Sequence, residues 1–225
     1  MKIGIVGGGP AGLLFAYLMA RGDPRHHIQV FERDPSDATY GWGVVLTDIA
    51  LGFVREVDAE LSDALTKDQE VHDEMRIVHR GVSVRLVNNV FYRLARIDLL
   101  RVLRVACARA GVTLNFGRRV VHPDELGECD LLVGADGAKS AMREVYRDHF
   151  QSALDARRNK LAWYGTTQLF GPLSLLFRER PEGLFIAHAY RYSRTHSTFL
   201  VECDPETWLA AGLDRASEAE SMRVC

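Results

Sequence analysis

Three glycines near the start of the chain, Gly7, Gly9 and Gly12, stand at a spacing that lets a backbone wrap a diphosphate. They follow the apolar run Lys2 to Val6, which reads as a buried strand, and open a helical run, Pro10 and then Ala11 to Arg21. Gly7 permits a tight turn, Gly9 lets the main chain approach a pyrophosphate, and Gly12 lets helix and strand pack closely. Pro10 suits a first helical turn, where a missing N–H costs nothing. The free N–H groups and dipole of such a helix start stabilise phosphate charge. Glu32 ends the next apolar run, Ile28 to Glu32, where its carboxylate is placed to accept hydrogen bonds from a ribose diol. The spacing therefore predicts a βαβ dinucleotide site. It does not by itself choose between FAD and NAD.

A second constellation runs from Asp130 to Arg143, with Gly134, Ala135, Asp136, Gly137, Ser140 and Arg143 after the short apolar strand Leu131 to Val133. Asp136-Gly137 taken alone is also an ordinary turn dipeptide. Arg96 opens a helical run through Leu99, Leu100, Leu103 and Ala106 that Gly111 stops, and an arginine suits bidentate contact with phosphate. Further on, Tyr164, Gln168, His188 and Tyr190 are polar or amphipathic residues within strand-like runs, placed to face a ligand. Alternation puts Ile186, His188 and Tyr190 on one face and Phe185, Ala187 and Ala189 on the other. A histidine there can orient a phenol or take a proton near neutral pH, although a satisfied structural histidine is the commoner case.

The elements that must position these residues follow from the same pattern. The runs 161–170, 173–178, 184–190 and 197–203 are predicted strands, with Gly171-Pro172 and Pro181-Glu182-Gly183 as two of the turns. The stretch 75–92 predicts two more strands, 112–116 another, and 48–65 a helix with breaks. Residues 39–47, rich in glycine and aromatics, read as an irregular loop. Pro205 to Leu213 reads as a helix capped by Asp204. His26 and His27 are expected to face solvent. An α/β nucleotide-binding part is thus followed by a mostly antiparallel sheet.

Bulk properties narrow the classes. The chain has 225 residues, 47% hydrophobic and 26% charged, with a net charge of −2, a globular composition without the basic excess of a nucleic-acid or membrane-surface binder. Cys107, Cys129, Cys203 and Cys225 show no CxxC spacing, which points to neither a metal site nor a redox dithiol and fits a reducing cytoplasm. The apolar start is interrupted at Gly7 to Pro10, unlike a secretion signal or a membrane span.

The stretch Gly134-Ala-Asp-Gly-Ala-Lys-Ser-Ala-Met-Arg143 resembles the GADGxxSxxR signature of the aromatic-ring hydroxylase flavoproteins. Gly41-Trp-Gly-Val-Val45 with Asp48 is similar to the salicylyl-CoA 5-hydroxylase and 2-aminobenzoyl-CoA monooxygenase branch. Asn159 to Phe170, Phe185 to Tyr190 and Ser197 to Cys203 are similar to that branch and to the violacein-pathway hydroxylase. The resemblance implies a Rossmann-like FAD-binding domain of the p-hydroxybenzoate hydroxylase-like kind, with an inserted, mostly antiparallel substrate sheet. It implies FAD, NADPH or NADH as co-substrate, O2, and hydroxylation of an aromatic ring through a C4a-hydroperoxyflavin. The ring is carried as a CoA thioester or is indole-derived. It assigns Gly7, Gly9, Pro10, Ala11, Gly12, Glu32, Arg33, Trp42, Gly43, Val44, Arg96, Asp136, Gly137 and Arg143 to the cofactor, and Tyr164, Gln168, His188 and Tyr190 to the substrate, with His188 as the catalytic candidate. The expected division is 1–72 with 94–158 for the FAD-binding domain, and 73–93 with 159–225 for the substrate domain.

The family pattern also calls for a second Gly-Asp stretch beyond residue 225, so the chain is expected to be the N-terminal portion of a longer enzyme or a truncated gene product, to expose apolar surface and to bind FAD weakly or not at all. Two other readings stay open. One is a non-catalytic FAD-binding fragment. The other is an NAD-dependent dehydrogenase on the same βαβ unit, which would leave the Asp136-Gly137 motif without a role.

Overall fold

The computed structural model describes residues 1–67 and 69–225. In chain order these form β1 (Lys2–Val6), α1 (Pro10–Gly22), β2 (His27–Phe31), β3 (Gly43–Thr47), α2 (Asp48–Val57) and α3 (Ala59–Thr66). The hairpin of β4 (Glu70–His79) and β5 (Val82–Ala95) leads into α4 (Arg96–Arg109) and β6 (Thr113–Asn115). After a 3-10 turn at Pro123–Leu126 come β7 (Leu131–Gly134), α5 (Ala141–Val145) and α6 (Arg147–Phe150). Four further strands, β8 (Lys160–Thr166), β9 (Leu173–Arg180), β10 (Gly183–Arg191) and β11 (Ser197–Cys203), precede α7 (Pro205–Ala210) and α8 (Glu218–Val224). The chain divides into two compact units, Met1–Tyr40 with Ile97–Leu154 and Gly41–Arg96 with Asp155–Cys225.

The first unit holds a parallel sheet in the order β6-β2-β1-β7. A central parallel strand is covered on both faces, which is why β1 needs an unbroken apolar run, with Ile3, Ile5 and Val6 all buried. Leu13, Ala16 and Ala20 form the buried stripe of α1, and Leu99, Leu100, Leu103 and Cys107 that of α4. The Cys107 thiol donates to the Leu13 carbonyl at 3.1 Å, tying α4 to α1. Burial pushes that thiol up to about 11, so Cys107 packs rather than reacts. A second cluster joins Val6, Phe31, Val120 and Met142. His26, expected at the surface, is instead tucked in: its Nδ1 lies 3.2 Å from the Met19 carbonyl near the end of α1. The last carbonyls of a helix need such partners.

The second unit is one seven-stranded sheet, β3-β5-β4-β9-β10-β11-β8, in which only the β4–β9 pair is parallel. One face is covered by the C-terminal helices: Phe185, Ala187, Val201, Cys203 and Leu213 are buried there, with Trp208 and Val224 packed against them. Pleating places the alternate residues Leu175, His188, Tyr190, Leu200, Glu202 and Trp163 on the opposite face.

Two expectations about strands change. Residues 43–47 are not loop: β3 pairs with β5 in the register Val44↔Leu94, which carries the stretch 41–72 into the second unit rather than the nucleotide-binding part. The break expected within the helical stretch 48–65 falls at Asp58, whose carboxylate accepts from the Leu61 N–H at 3.0 Å and starts α3 anew. The strand expected to reach Phe170 stops at Thr166, whose hydroxyl accepts from the Gln168 N–H at 3.1 Å and turns the chain. On α2, Ile49, Phe53 and Val57 recur four residues apart and are all more than half exposed, an apolar stripe on the surface.

The segment Gly41-Trp42-Gly43 is fixed by interlocked rings. A side chain at Gly41 would meet the Trp163 ring, and one at Gly165 would meet the Trp42 ring, so each tryptophan lies over the other's neighbouring glycine. Gly43 lies equally close under Tyr192, its N–H donates to Thr198 Oγ1 at 2.9 Å, and its carbonyl accepts from the Tyr190 hydroxyl at 2.7 Å. Beneath this region Arg93 is fully buried and donates to the Gly171 carbonyl at 2.8 Å, while its Nη2 has no hydrogen-bond partner. Burial pushes its pKa down to about 10, so it stays cationic at neutral pH.

Two substitutions test these packing arguments. Ile5→Ala, in the central strand, is expected to lower unfolding free energy by about 2–5 kcal/mol in a urea titration. Gly165→Ala is expected to cost about 1–3 kcal/mol by overpacking and to shift tryptophan emission to the red as Trp42 is displaced.

Candidate functional site

In the first unit the structure brings the two sequence motifs together. β1 and β7 run side by side with Val6 opposite Gly134, and the Ala135 N–H donates to the Val6 carbonyl at 2.7 Å. Gly7 follows at φ +111°, a conformation that disfavours any side chain. A Cβ there would land on the Ala135 carbonyl and 2.8 Å from the Asp136 nitrogen. A Cβ on Gly12 would land on the Gly7 carbonyl and 3.2 Å from the Ala135 Cβ. The turn after β1, the first turn of α1 and the turn after β7 are therefore in backbone contact, and glycine is what allows it.

Gly9 behaves differently. It is the N-cap of α1, with ordinary extended angles and no side chain capping the helix, and no atom lies within 4 Å of where its Cβ would sit. The three glycines thus separate into two that close the structure and one that leaves room beside the N–H groups of the helix start. That room and those donors fit a diphosphate.

Glu32 ends β2 and turns back onto the glycine loop. Its Oε2 accepts from the Gly8 N–H at 2.7 Å and its Oε1 from the Asp34 N–H at 3.0 Å. Each carboxylate oxygen keeps a lone pair for a further donor such as a ribose hydroxyl. Arg33 beside it points outward, its guanidinium 3.6 Å from Asp34.

Asp136 is held locally. It accepts from the Ser140 hydroxyl at 2.5 Å and from the Ala141 and Met142 N–H groups at 2.6 and 3.3 Å, which fixes the start of α5. Arg143 closes the same turn, donating to the Ala138 carbonyl at 2.7 Å. These two signature side chains hold the loop in shape, and the surface the loop presents is main chain at the exposed Gly137 and Ala138.

The remaining predicted residues lie in the second unit. Trp42, Gly43 and Val44 sit in and just after the interlocked segment. The Arg96 N–H donates to the Trp42 carbonyl at 2.8 Å, joining the helix start to that segment. The four substrate candidates do not converge. Tyr164 lies on the face covered by α8, its hydroxyl 2.5 Å from Ser221 Oγ, and burial raises its pKa. Gln168 is exposed beyond the end of β8. Tyr190 is buried with its hydroxyl on Gly43, and burial raises its pKa as well. His188 is on the face away from α7 and α8, its Nε2 3.7 Å from Glu202 Oε1. Sequence reasoning missed Thr198, Tyr192 and Glu202. It also missed Gly165, a glycine inside a strand, which marks a close approach of another group.

Comparison with known proteins places this geometry. Residues 5–37 match the NAD(P)-binding Rossmann-like domain family. The chain is 37% identical over 222 residues to salicyloyl-CoA 5-hydroxylase of a Streptomyces species, covering 99% of this chain and 43% of that protein. It is 34% identical to protodeoxyviolaceinate monooxygenase of Chromobacterium violaceum, covering 98% and 60%, and 35% identical to 3-hydroxy-4-methyl-anthranilyl-[aryl-carrier protein] 5-monooxygenase of Streptosporangium sibiricum, covering 91% and 57%. The chain thus spans about half the length of the curated relatives it matches. Among solved structures, 2-methyl-3-hydroxypyridine-5-carboxylic acid oxygenase superposes with a TM-score of 0.74 at 16% identity, covering 91% of this chain and 59% of that one. PqsL, a probable FAD-dependent monooxygenase from Pseudomonas aeruginosa, superposes at 0.72 and 20%, covering 99% and 65%. At such identities the two structures speak for the fold alone. Motifs, fold and sequence relatives agree: over nearly its whole length the chain is similar to part of these hydroxylases and monooxygenases.

Proposed function

We propose that the chain supplies the dinucleotide-binding and ring-facing parts of a monooxygenase that hydroxylates an aromatic compound with FAD, NADPH or NADH, and O2. The observation that carries this reading is the backbone contact of Gly7, Gly12 and Ala135, with Gly9 left open at the helix start and Glu32 closed onto Gly8, in a chain related to hydroxylases over nearly its whole length. Bound FAD, reduced by the nicotinamide nucleotide, supplies the activation of O2.

The protein's own part is placement. Gly9, Pro10, Ala11 and Gly12 present the first turn of α1 to the pyrophosphate. Glu32 takes the ribose hydroxyls, with Arg33 at its outer side. Asp136 and Arg143 keep the loop rigid so that Gly137 offers main chain to the cofactor. For Trp42, Gly43, Val44 and Arg96 the cofactor role rests on the resemblance of their motifs. His188 is the substrate-side residue retained, because it lies on the sheet face that α7 and α8 leave bare. Tyr190 acts on the substrate side through the Gly43 segment it holds. The names of two relatives favour a ring linked to CoA or to a carrier protein. No helix among the described residues is long and apolar enough to cross a membrane, and the free cysteines suit a reducing cytoplasm.

The glycines give the test. Gly9→Ala fits the observed angles and meets no atom, so the melting temperature should stay unchanged. FAD affinity, read by quenching of flavin fluorescence, should fall about tenfold, or about 1.4 kcal/mol. Gly12→Ala should lower both. FAD affinity unaffected by Gly9→Ala would overturn the assignment of this loop to the pyrophosphate. The reaction itself is tested by NAD(P)H-dependent O2 uptake with salicyloyl-CoA as trial substrate.

A further inference from the structure

The proposed substrate face carries a buried imidazole nitrogen with no hydrogen bond. His188 sits in the middle of β10, opposite Leu175 of β9 and Leu200 of β11. Its Nε2 is buried without a hydrogen-bond partner, yet a third of the side chain is exposed, so the exposure lies on its other atoms. The nearest opposite charge is Glu202, one diagonal step away on β11, with Oε1 at 3.7 Å. At that distance the pair is not hydrogen-bonded, but a small rotation of either side chain makes it so.

Among the described residues the surroundings leave Glu202 as the one anion able to do this. The same face of β9 presents Leu173, Leu175 and Phe177, and that of β8 presents Leu161 and Trp163. Its other titratable groups are already engaged: Tyr190 on the Gly43 carbonyl, and Glu179, at the end of β9, on His79 and Arg80. An apolar rim weakens competition from water and strengthens the interaction between imidazole and carboxylate.

We propose that Glu202 is a positioning residue that holds neutral His188 in the Nε2–H tautomer, so that Nδ1 presents its lone pair as a proton acceptor on the substrate face. The inference deepens the monooxygenase reading and rests on it. The substrate class it selects is a ring bearing a hydroxyl group. The O–H bond breaks, its proton passes to Nδ1, the electron pair stays on oxygen, and the resulting imidazolium is stabilised by the Glu202 carboxylate. Ionising the hydroxyl enriches the ring in electrons, as attack on an electrophilic oxygen requires. A carboxylate on the far nitrogen fixes tautomer and orientation in the way familiar from other histidine bases.

The tautomer is directly readable. Nitrogen-15 NMR of the 225-residue chain, with His188 assigned by His188→Gln, should show Nε2–H in the neutral ring. In Glu202→Gln the population should shift toward Nδ1–H. Glu202→Asp should restore part of that shift, which a purely structural role would not predict. An Nδ1–H ring in the wild type, or a tautomer population indifferent to Glu202→Gln, would overturn the proposal. Failure of Gly9→Ala to affect FAD affinity would count against the flavin reading and leave the tautomer result standing.

Discussion

The main-chain contact between Gly7, Gly12 and Ala135 governs the first unit. Strand β1 and helix α1 can be joined so tightly only if nothing projects from the turn between them, and the carbonyl of Ala135 occupies the place a Cβ at Gly7 would take. That contact sets how far β7 advances beside β1, and hence where the 136–143 loop emerges. Glu32 and Asp136 then act as local braces. Each carboxylate gathers main-chain N–H groups of its own neighbourhood, and a charged acceptor does this more firmly than a neutral one.

The second unit solves a different problem. A wide sheet has two faces, and the helices at the end of the chain cover one of them with an apolar cluster. The other face mixes aliphatic residues with a histidine and a glutamate and is shaped at one end by the segment 41–43. The segment is held by rings fitted over glycines and by hydrogen bonds to the main chain of Gly43, so its geometry depends on β8, β10 and β11 as much as on β3. Buried Arg93, with one nitrogen unsatisfied, is a costly group, and removing a single partner of such a cation is more damaging than replacing the whole arrangement by apolar residues.

The sequence made the first unit readable because its signals are local. Glycine spacing, a helix start and an acid at the end of the next strand are short-range patterns, and they predicted β1, α1 and β2. The four strands from residue 160 onward were legible from turn residues between apolar runs. What escaped depends on partners distant in sequence. Gly43–Thr47 reads as loop because its strand character is conferred by β5, about fifty residues away. A break within 48–65 is expected, but only the capping bond of Asp58 locates it. Tyr164 and Tyr190 looked like ligand contacts because a hydroxyl in a strand is ambiguous. Only the register shows that one faces α8 and the other the Gly43 carbonyl.

The interlock of Trp42 and Trp163 also makes the chain self-reporting. Two of its three tryptophans belong to that one arrangement, and the third, Trp208, packs from α7 onto the sheet. Near-ultraviolet circular dichroism and indole fluorescence will therefore be weighted toward the environment of residues 41–43. A spectral change on adding a ligand is a signal from that corner of the sheet before it is a signal of global refolding.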